Sequence, residues 1–575
     1  MTDRRRTASL WRARFLVVPL AAIVVLTGCV GIPRSGSVQA GGTVDTSGSD
    51  IDVNFVAQGP SAGATQEQIL NGFVDAAASP QNNYEIAREF LTPSVRGDWN
   101  PDAGVTIDQP GARTYTTTGD RSAQFAVTPV AEVDARGEYK ESANSAQLRY
   151  DFTFEQVKGE WRISKAPPGI VLESSAFSDV FAAYSLSFFD PSFSRIVPDQ
   201  RWFPSRASTA TRIVSALLDG PSEWLKGAVA TAFPEGSALT SDAVPVDVGQ
   251  AKVDLTRPAL QADAVTLQRM QLQLTTSLVQ LSGSVSGVAA VSSVAVTIDG
   301  NSTAPIQPLV LTPPRVDSRP LVLQGAAFGF LSGDSIEQVP GISPAVIAAG
   351  ATSAVLSADH RRAAIGSAAG VTVIDAGADP VLVDARPGLI APAMDPYGFT
   401  WTVPSGSPGA LVAHDDTGAA TPIATSWPEA SSIESLQVSR EGTRVVALIR
   451  SGSQLRLVAA AIIRGDRNVP TKLGEPNDLK VMAGEPVSVT WVDDLTVAVL
   501  VDEPNGDTRM VSQQVGGKST PVTALNGVVG LVGGNGPNQL RALTSDGKIM
   551  VPRGSAWQVA GQGVAFIATQ MGSTD

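Results

Sequence analysis

Apolar positions keep helical spacing over residues 65–91 and then fall on every second residue. Ile69, Leu70, Phe73 and Val74 share one helical face that runs up to Pro80. Thr65 and Gln68, three places apart, form a capping box at its start. A second helix is expected over Tyr84 to Leu91, ending before Pro93. Further on, Phe125 and Val127 alternate, as do Leu148, Tyr150, Phe152 and Phe154. Lys158-Gly159-Glu160 makes a turn, and Trp161 and Ile163 return on the next strand. Two helices followed by a curved antiparallel sheet predict an α+β domain over residues 65–175.

A second pattern occupies residues 200–305. Ile213 lies over Leu217 and Val214 over Leu218 in a helix from Thr211 to Leu218, stopped by Gly220-Pro221. Phe233-Pro234-Glu235-Gly236 is a turn and Ala251 to Leu255 a short strand. Leu267, Met270, Leu274, Leu278 and Leu281 then share one face of a long helix. Val294, Val296 and Ile298 alternate as a closing strand before Asp299-Gly300, so the unit reads as α/β. Pro313-Pro314 and Pro320 mark a linker. From residue 321 to 575 the chain reads as short strands between turns. Asp359, Asp395, Glu441, Asp493 and Asp546 each sit in a turn between two strands, 36 to 53 residues apart. Several strands per period of this size predict a β-propeller, with a β-sandwich pair as the alternative. Aspartate suits such turns because its carboxylate bonds nearby backbone N–H groups.

The amino-terminal residues follow neither pattern. Arg4, Arg5, Arg6, Arg12 and Arg14 precede twelve uncharged residues, Phe15 to Leu26, and then Thr27, Gly28 and Cys29. A basic start, an apolar run and small residues make an export signal over residues 1–28. A single-pass anchor competes with it, but a span needs about 20 apolar residues. Residues 29–64, rich in Gly, Ser, Thr and Asp, read as a flexible tether. Leu26-Thr27-Gly28-Cys29 closely resembles the bacterial lipobox, which implies an S-diacylglycerol and N-palmitoyl cysteine at Cys29 and cleavage before it. Each buried CH₂ adds about 0.8 kcal/mol, so two or three chains hold a protein firmly. Cys29 is the one cysteine of the 575 residues, which leaves no disulfide to form. Loss of residues 1–28 takes five arginines and one aspartate away and moves the net charge from −13 to −17. So acidic a protein is a poor match for nucleic acid.

Several resemblances follow from these residues. The first domain is similar to cystatin-like or nuclear-transport-factor-like modules, with packing its expected role. The order Leu217 to Pro221, Phe233 to Gly236, Ala251 to Leu255 and Val294 to Gly300 resembles the GerMN domain. Lipobox, α+β module, GerMN-like module and carboxy-terminal propeller, in this order, resemble the LpqB lipoprotein family of actinobacteria. That resemblance implies a non-enzymatic lipoprotein on the outer face of the cell membrane. It also implies an accessory of the MtrA–MtrB two-component system that touches the ectodomain of the sensor kinase MtrB. The implied output is cell-wall homeostasis and cell division. The alternative function is binding of cell-wall glycan or a small ligand.

A search for chemistry yields little. His360 and His414, the two histidines, fall in different proposed blades, whereas a zinc site needs three or four ligands. His414-Asp415-Asp416 reads as a solvated loop. Asp493 and Asp494 are adjacent, a poor arrangement for shared acid–base work because neighbours along a strand point to opposite faces, and their turn position explains them. Asp359, Asp395 and Glu441 would have to converge on the channel to act as a glycosidase pair; capping of their own hairpins is the expected role. No catalytic residue, metal or cofactor is expected. Phe188, Phe189, Trp202 and Phe203 stand out as a packing ridge, or as a contact patch between modules or to a partner.

Overall fold

Helix α1 (Gln66–Ala76) starts at the capping box: Gln68 N–H donates to the Thr65 hydroxyl and Thr65 N–H donates to Gln68 Oε1. Its face of Ile69, Leu70, Phe73 and Val74 is buried. These coordinates are a computed structural model. It describes residues 57–574 apart from 143–145, 282–287, 304–305, 504–506 and 524. The signal, the lipobox residues Leu26, Thr27 and Gly28, Cys29 and most of the tether lie outside the described residues. Helix α2 (Glu85–Glu89) is shorter than the spacing predicts. Asn82, Asn83 and Tyr84 have φ of 48°, 58° and 60°, left-handed backbone that cannot join a right-handed helix.

The first module holds two four-stranded sheets where the sequence predicts one. One runs β2 (Thr114–Gly119), β3 (Ser122–Val127), β6 (Leu148–Val157) and β7 (Glu160–Lys165). The other runs β5 (Tyr139–Glu141), β4 (Pro129–Asp134), β1 (Gly104–Asp108) and β8 (Ile170–Glu173), with β1 and β8 parallel. Only Thr128 separates β3 from β4. Pro129 has no N–H for a ladder, and it meets Asp108 where the register shifts. The strand bends there from one sheet into the other.

A helix, α3 (Ser174–Val180), and a long hairpin, β9 (Phe181–Phe189) with β10 (Ile196–Pro204), follow. Period-two alternation misses this hairpin because it is buried on both faces: Leu186 to Phe189 and Asp199 to Pro204 are buried without a break. Helix α4 (Thr209–Asp219) packs on it and ends at Gly220, whose φ is +97°. A four-stranded sheet comes next, β11 (Val246–Asp247), β12 (Gln250–Leu255), β13 (Ser293–Ile298) and β14 (Asn301–Ser302). Helix α5 (Ala264–Leu278) crosses between the parallel strands β12 and β13. Met270, Leu274 and Leu278 are buried as the pattern predicts; Leu267 is half-buried and Leu281 lies beyond the helix. Two buried polar residues of α5 fasten the hairpin side. Ala232 N–H donates to Gln273 Oε1 (2.9 Å) and Ser187 N–H to Ser277 Oγ (3.0 Å).

Among the described residues six blades form the remainder, a propeller closed by its own carboxy terminus; each has four strands, with a fifth, Asn477–Leu479, added to the fourth blade, and the first two blades are joined in one sheet. The last strand, Val564–Gln570, pairs antiparallel with Leu321–Gln324 and so completes blade 1 with Ala327–Ser332 and Ser335–Glu337. It also touches the first strand of blade 2, Ser353–Leu356, through Val355 and Leu356. Blades 3 to 6 begin at Ala393–Met394, Ser432–Val438, Glu485–Trp491 and Val528–Val532. A sandwich pair would lack this ring closure. Asp359, Asp395, Glu441 and Asp493 lie between the first two strands of blades 2 to 5. Asp546 departs from the predicted series: it links the second and third strands of blade 6. There the first turn carries Gly533, Gly534 and Asn535, and Asn535 bonds both backbone groups of Val316.

Candidate functional site

Trp202, on β10, is the centre of a joint between modules. Its Nε1 donates to the carbonyl of Gly516 in blade 5 (3.0 Å). Its ring meets Phe177 at 5.2 Å and Tyr139 at 5.4 Å between centroids. Lys518 places its ammonium over Phe177 (5.1 Å) and Trp202 (5.4 Å) and donates to Ser178 Oγ (2.6 Å). Both Ser519 N–H (3.2 Å) and its hydroxyl (3.0 Å) donate to Glu141 Oε1. Gly516 fits because its φ is +88° and a Cβ there would meet the Gln200 carbonyl at 3.1 Å.

Ion pairs extend the joint in two directions. Arg206 and Arg212, at the start of α4, each reach Asp102 of the first module at 2.8 Å. Arg201 and Asp199 are both buried and 2.8 Å apart; Ser222 adds its N–H (2.8 Å) and hydroxyl (2.6 Å) to the same carboxylate. On the far side Tyr397 of blade 3 donates to Asp190 Oδ2 (2.7 Å), with Arg195 and Arg464 on its ring at 5.4 and 4.3 Å. Burial, with the Asp190 charge beside it, raises the Tyr397 phenol above its usual range. Of the aromatic residues singled out from sequence, Trp202 makes the module contact. Phe188, Phe189 and Phe203 are buried in the core of the second module.

Beside this joint lies a cavity of about 690 Å³ whose walls come from all three modules. Phe73, Trp99, Tyr150 and Phe152 form its apolar side, and the hydroxyls of Thr106 and Tyr150, both lining residues, bond to each other at 2.7 Å. Asp199, Gln200 and Trp224 line it from the second module, Glu475 and Gly516 from the propeller. Burial raises the pKa of Glu138, another lining residue, against the lowering effect of Arg201.

The turn carboxylates are held in their own hairpins. Asp359 accepts from Ser357 and Arg361 N–H, and Asp493 from the N–H groups of Leu495 and Thr496. Glu441 is buried against Arg444 (2.7 Å), and Asp395 against Arg464 (2.8 Å). Each accepts bonds from its own hairpin, which suits capping, and Asp395 in addition ties blade 3 to Arg464 of blade 4. His414 is buried, 3.1 Å from the Thr402 hydroxyl and 3.9 Å from Asp384, and burial lowers its pKa, so it is neutral at pH 7. His360 sits at a turn with φ +57°, its ring 5.1 Å from Phe330. The two histidines do not meet in one site, and among the described residues no group of three metal-ligating side chains forms.

Asp384 carries a testable pH effect. Burial pushes its pKa up, but Arg386 and Thr402 bond both oxygens and hold it at about 2. A carboxylate held below its unfolded value of about 3.9 stabilises the fold at higher pH. That stabilisation, about 2 kcal/mol, is lost as pH falls from about 4 to about 2. Urea unfolding of Asp384→Asn should show that loss at pH 7 and a flatter decline over the acid window. Parallel pH curves for the two proteins would refute the assignment.

Comparison with known proteins agrees with this architecture. Residues 59–178 match the model "Lipoprotein LpqB, N-terminal domain", and residues 326–566 match "Lipoprotein LpqB beta-propeller domain". Residues 185–304 match a model described as "Sporulation and spore germination". Lipoprotein LpqB of Streptomyces coelicolor is 26% identical across 98% of this chain and 99% of its own. Those of Rhodococcus jostii and Cutibacterium acnes are 30% and 32% identical over 48% and 49% of this chain. These two alignments span 45% and 46% of the relatives, about half of their length. Among solved structures, the first GerMN domain of GerM from Bacillus subtilis is 22% identical over 24% of this chain and 95% of its own, with a TM-score of 0.17. A TolB from Agrobacterium tumefaciens is 15% identical over 40% and 85%, with a TM-score of 0.28. With both outer modules matched by LpqB models and one LpqB relative aligned along nearly the whole of its length, the chain belongs to the LpqB lipoprotein family.

Proposed function

We propose that this lipoprotein is held on the outer face of the cell membrane by lipid on Cys29. There it acts as an accessory of the MtrA–MtrB two-component system by binding the ectodomain of the kinase MtrB. The output is control of cell-wall homeostasis and cell division. The supporting observation is the Trp202 joint, which ties the three modules together through buried contacts between residues more than 300 positions apart. Rigid composite surfaces suit protein recognition, because little ordering remains to be done on contact. No helix of the described residues is long and apolar enough to cross a membrane, so in this reading the anchor is the lipid.

The test uses the full chain in bilayer nanodiscs with the purified MtrB ectodomain. Saturable binding is expected below about 50 µM; its absence at that level would overturn the partnership. Cys29→Ala should release the protein from membranes, and normal processing with full membrane retention would overturn the anchor. The second reading, a receptor for a small ligand, is favoured by the aromatic cavity beside the joint.

A further inference from the structure

We propose that the cavity between the three modules is a binding site for a small organic cation, an apolar or aromatic body carrying a protonated amine. This goes beyond the kinase contact and does not depend on it. At about 690 Å³ the cavity falls in the range of small-molecule sites, roughly 300–1,000 Å³. Phe73, Trp99, Tyr139, Tyr150 and Phe152 give it a wall of rings. Such faces attract both apolar bodies and cations.

The polar part of the wall calls for hydrogen-bond donors and positive charge. Gln200 is 5% exposed, and its Nε2 donates to Gln514 (3.3 Å). Its Oε1 has no partner. A buried acceptor left unsatisfied is destabilising, and a donor from a ligand in this cavity would relieve it. Six carboxylates line the cavity against one lysine, Lys140. Most of them are engaged. Asp199 is held by Arg201, Glu138 and Glu223 lie beside Arg136, and Asp134 accepts backbone N–H groups. Glu132 stands across the strand pair from Lys140. Glu475 is exposed, lines the cavity, and has no ion-pair or hydrogen-bond partner among the described residues. Two lining carboxylates without an ion pair or hydrogen bond among the described residues, Glu132 and Glu475, and one orphaned acceptor match a primary ammonium; an anion would find Lys140 as the one cation among the lining residues.

Dansylcadaverine, an aromatic primary amine, is a suitable fluorescent probe. Its N-acetyl form is a neutral control and dansyl-6-aminohexanoate an anionic one. The full chain in phosphatidylcholine nanodiscs is titrated, with empty nanodiscs as the blank. The cationic probe should saturate with a Kd below about 100 µM, and each control should bind at least about tenfold more weakly. Glu475→Gln, an exposed change that leaves the core intact, should weaken the cation by about three- to tenfold without affecting the neutral probe. Val171→Trp, which fills the cavity from β8, should abolish binding, its fold being checked by circular dichroism. Equal affinity for the three probes, no saturation, or unchanged binding in folded Val171→Trp would each overturn the proposal.

Discussion

Asp395→Ala is expected to destabilise the propeller by about 3–5 kcal/mol, the range for removing one partner of a buried ion pair. The carboxylate is completely buried and Arg464 nearly so. Its Oδ2 accepts from Arg464 (2.8 Å) and from Trp401 Nε1 (3.0 Å); its Oδ1 accepts from the N–H groups of Tyr397 and Phe399. Alanine strips four donors of their acceptor at once. Arg464 would retain only the carbonyls of Gly442 and Asn468 and the face of Tyr397. Asp395→Asn keeps an oxygen for the two backbone donors and should lose less. Urea unfolding measures this, through a lower midpoint with an unchanged slope. The same variants decide the remaining catalytic idea for this residue. If Asp395→Asn were fully stable yet removed release of wall fragments, Asp395 would be a chemical group and not a hairpin lock.

What the sequence could tell depended on how local the determining chemistry was. The capping box at Thr65 and Gln68, the helices α4 and α5, and the hairpins at Asp359 and Glu441 are set by residues within a few positions of one another. They are visible in the bare sequence for that reason. The split of the first sheet was less so, since it turns on Pro129 meeting a register shift at Asp108. Hairpin β9–β10 was missed because burial on both faces erases alternation. Asp546 looked like one more member of the acidic series, but the first turn of blade 6 uses Asn535 to grip Val316. Nothing in a strand's own residues says which neighbour it pairs with, so the closure of Leu321 on Ala568 was out of reach. The same holds for the candidate site. Trp202 drew attention as an aromatic residue, whereas Gly516, Lys518 and Glu475 have no local signature of a role. The cavity exists only once three modules, each ordinary in sequence, are placed against one another.

Trp202→Ala should therefore produce an effect that a core substitution within one module does not. Loss of a buried tryptophan costs about 3–5 kcal/mol. Here the lost contacts belong to different modules: Phe177 and Tyr139 on one side, Gly516 and Lys518 on the other. Removing the ring takes the aromatic face from Lys518 and the donor from the Gly516 carbonyl. Scanning calorimetry of the parent should show one cooperative endotherm because the joint couples the modules, and in Trp202→Ala that endotherm should separate into two, as the first module and the propeller cease to unfold together. Lys518→Ala, which removes a cation over two rings, should cost about 1 kcal/mol and leave the transition single. Persistence of one endotherm at the parental temperature in Trp202→Ala would mean that the ion pairs at Asp102 and the Tyr397–Asp190 bond hold the modules without it. If instead the endotherm separates and MtrB binding weakens together with it, while membrane attachment through Cys29 is unchanged, the kinase is reading a surface that only the assembled modules present. Weaker binding without loss of cooperativity would place the indole itself at the contact, an outcome its 8% exposure argues against.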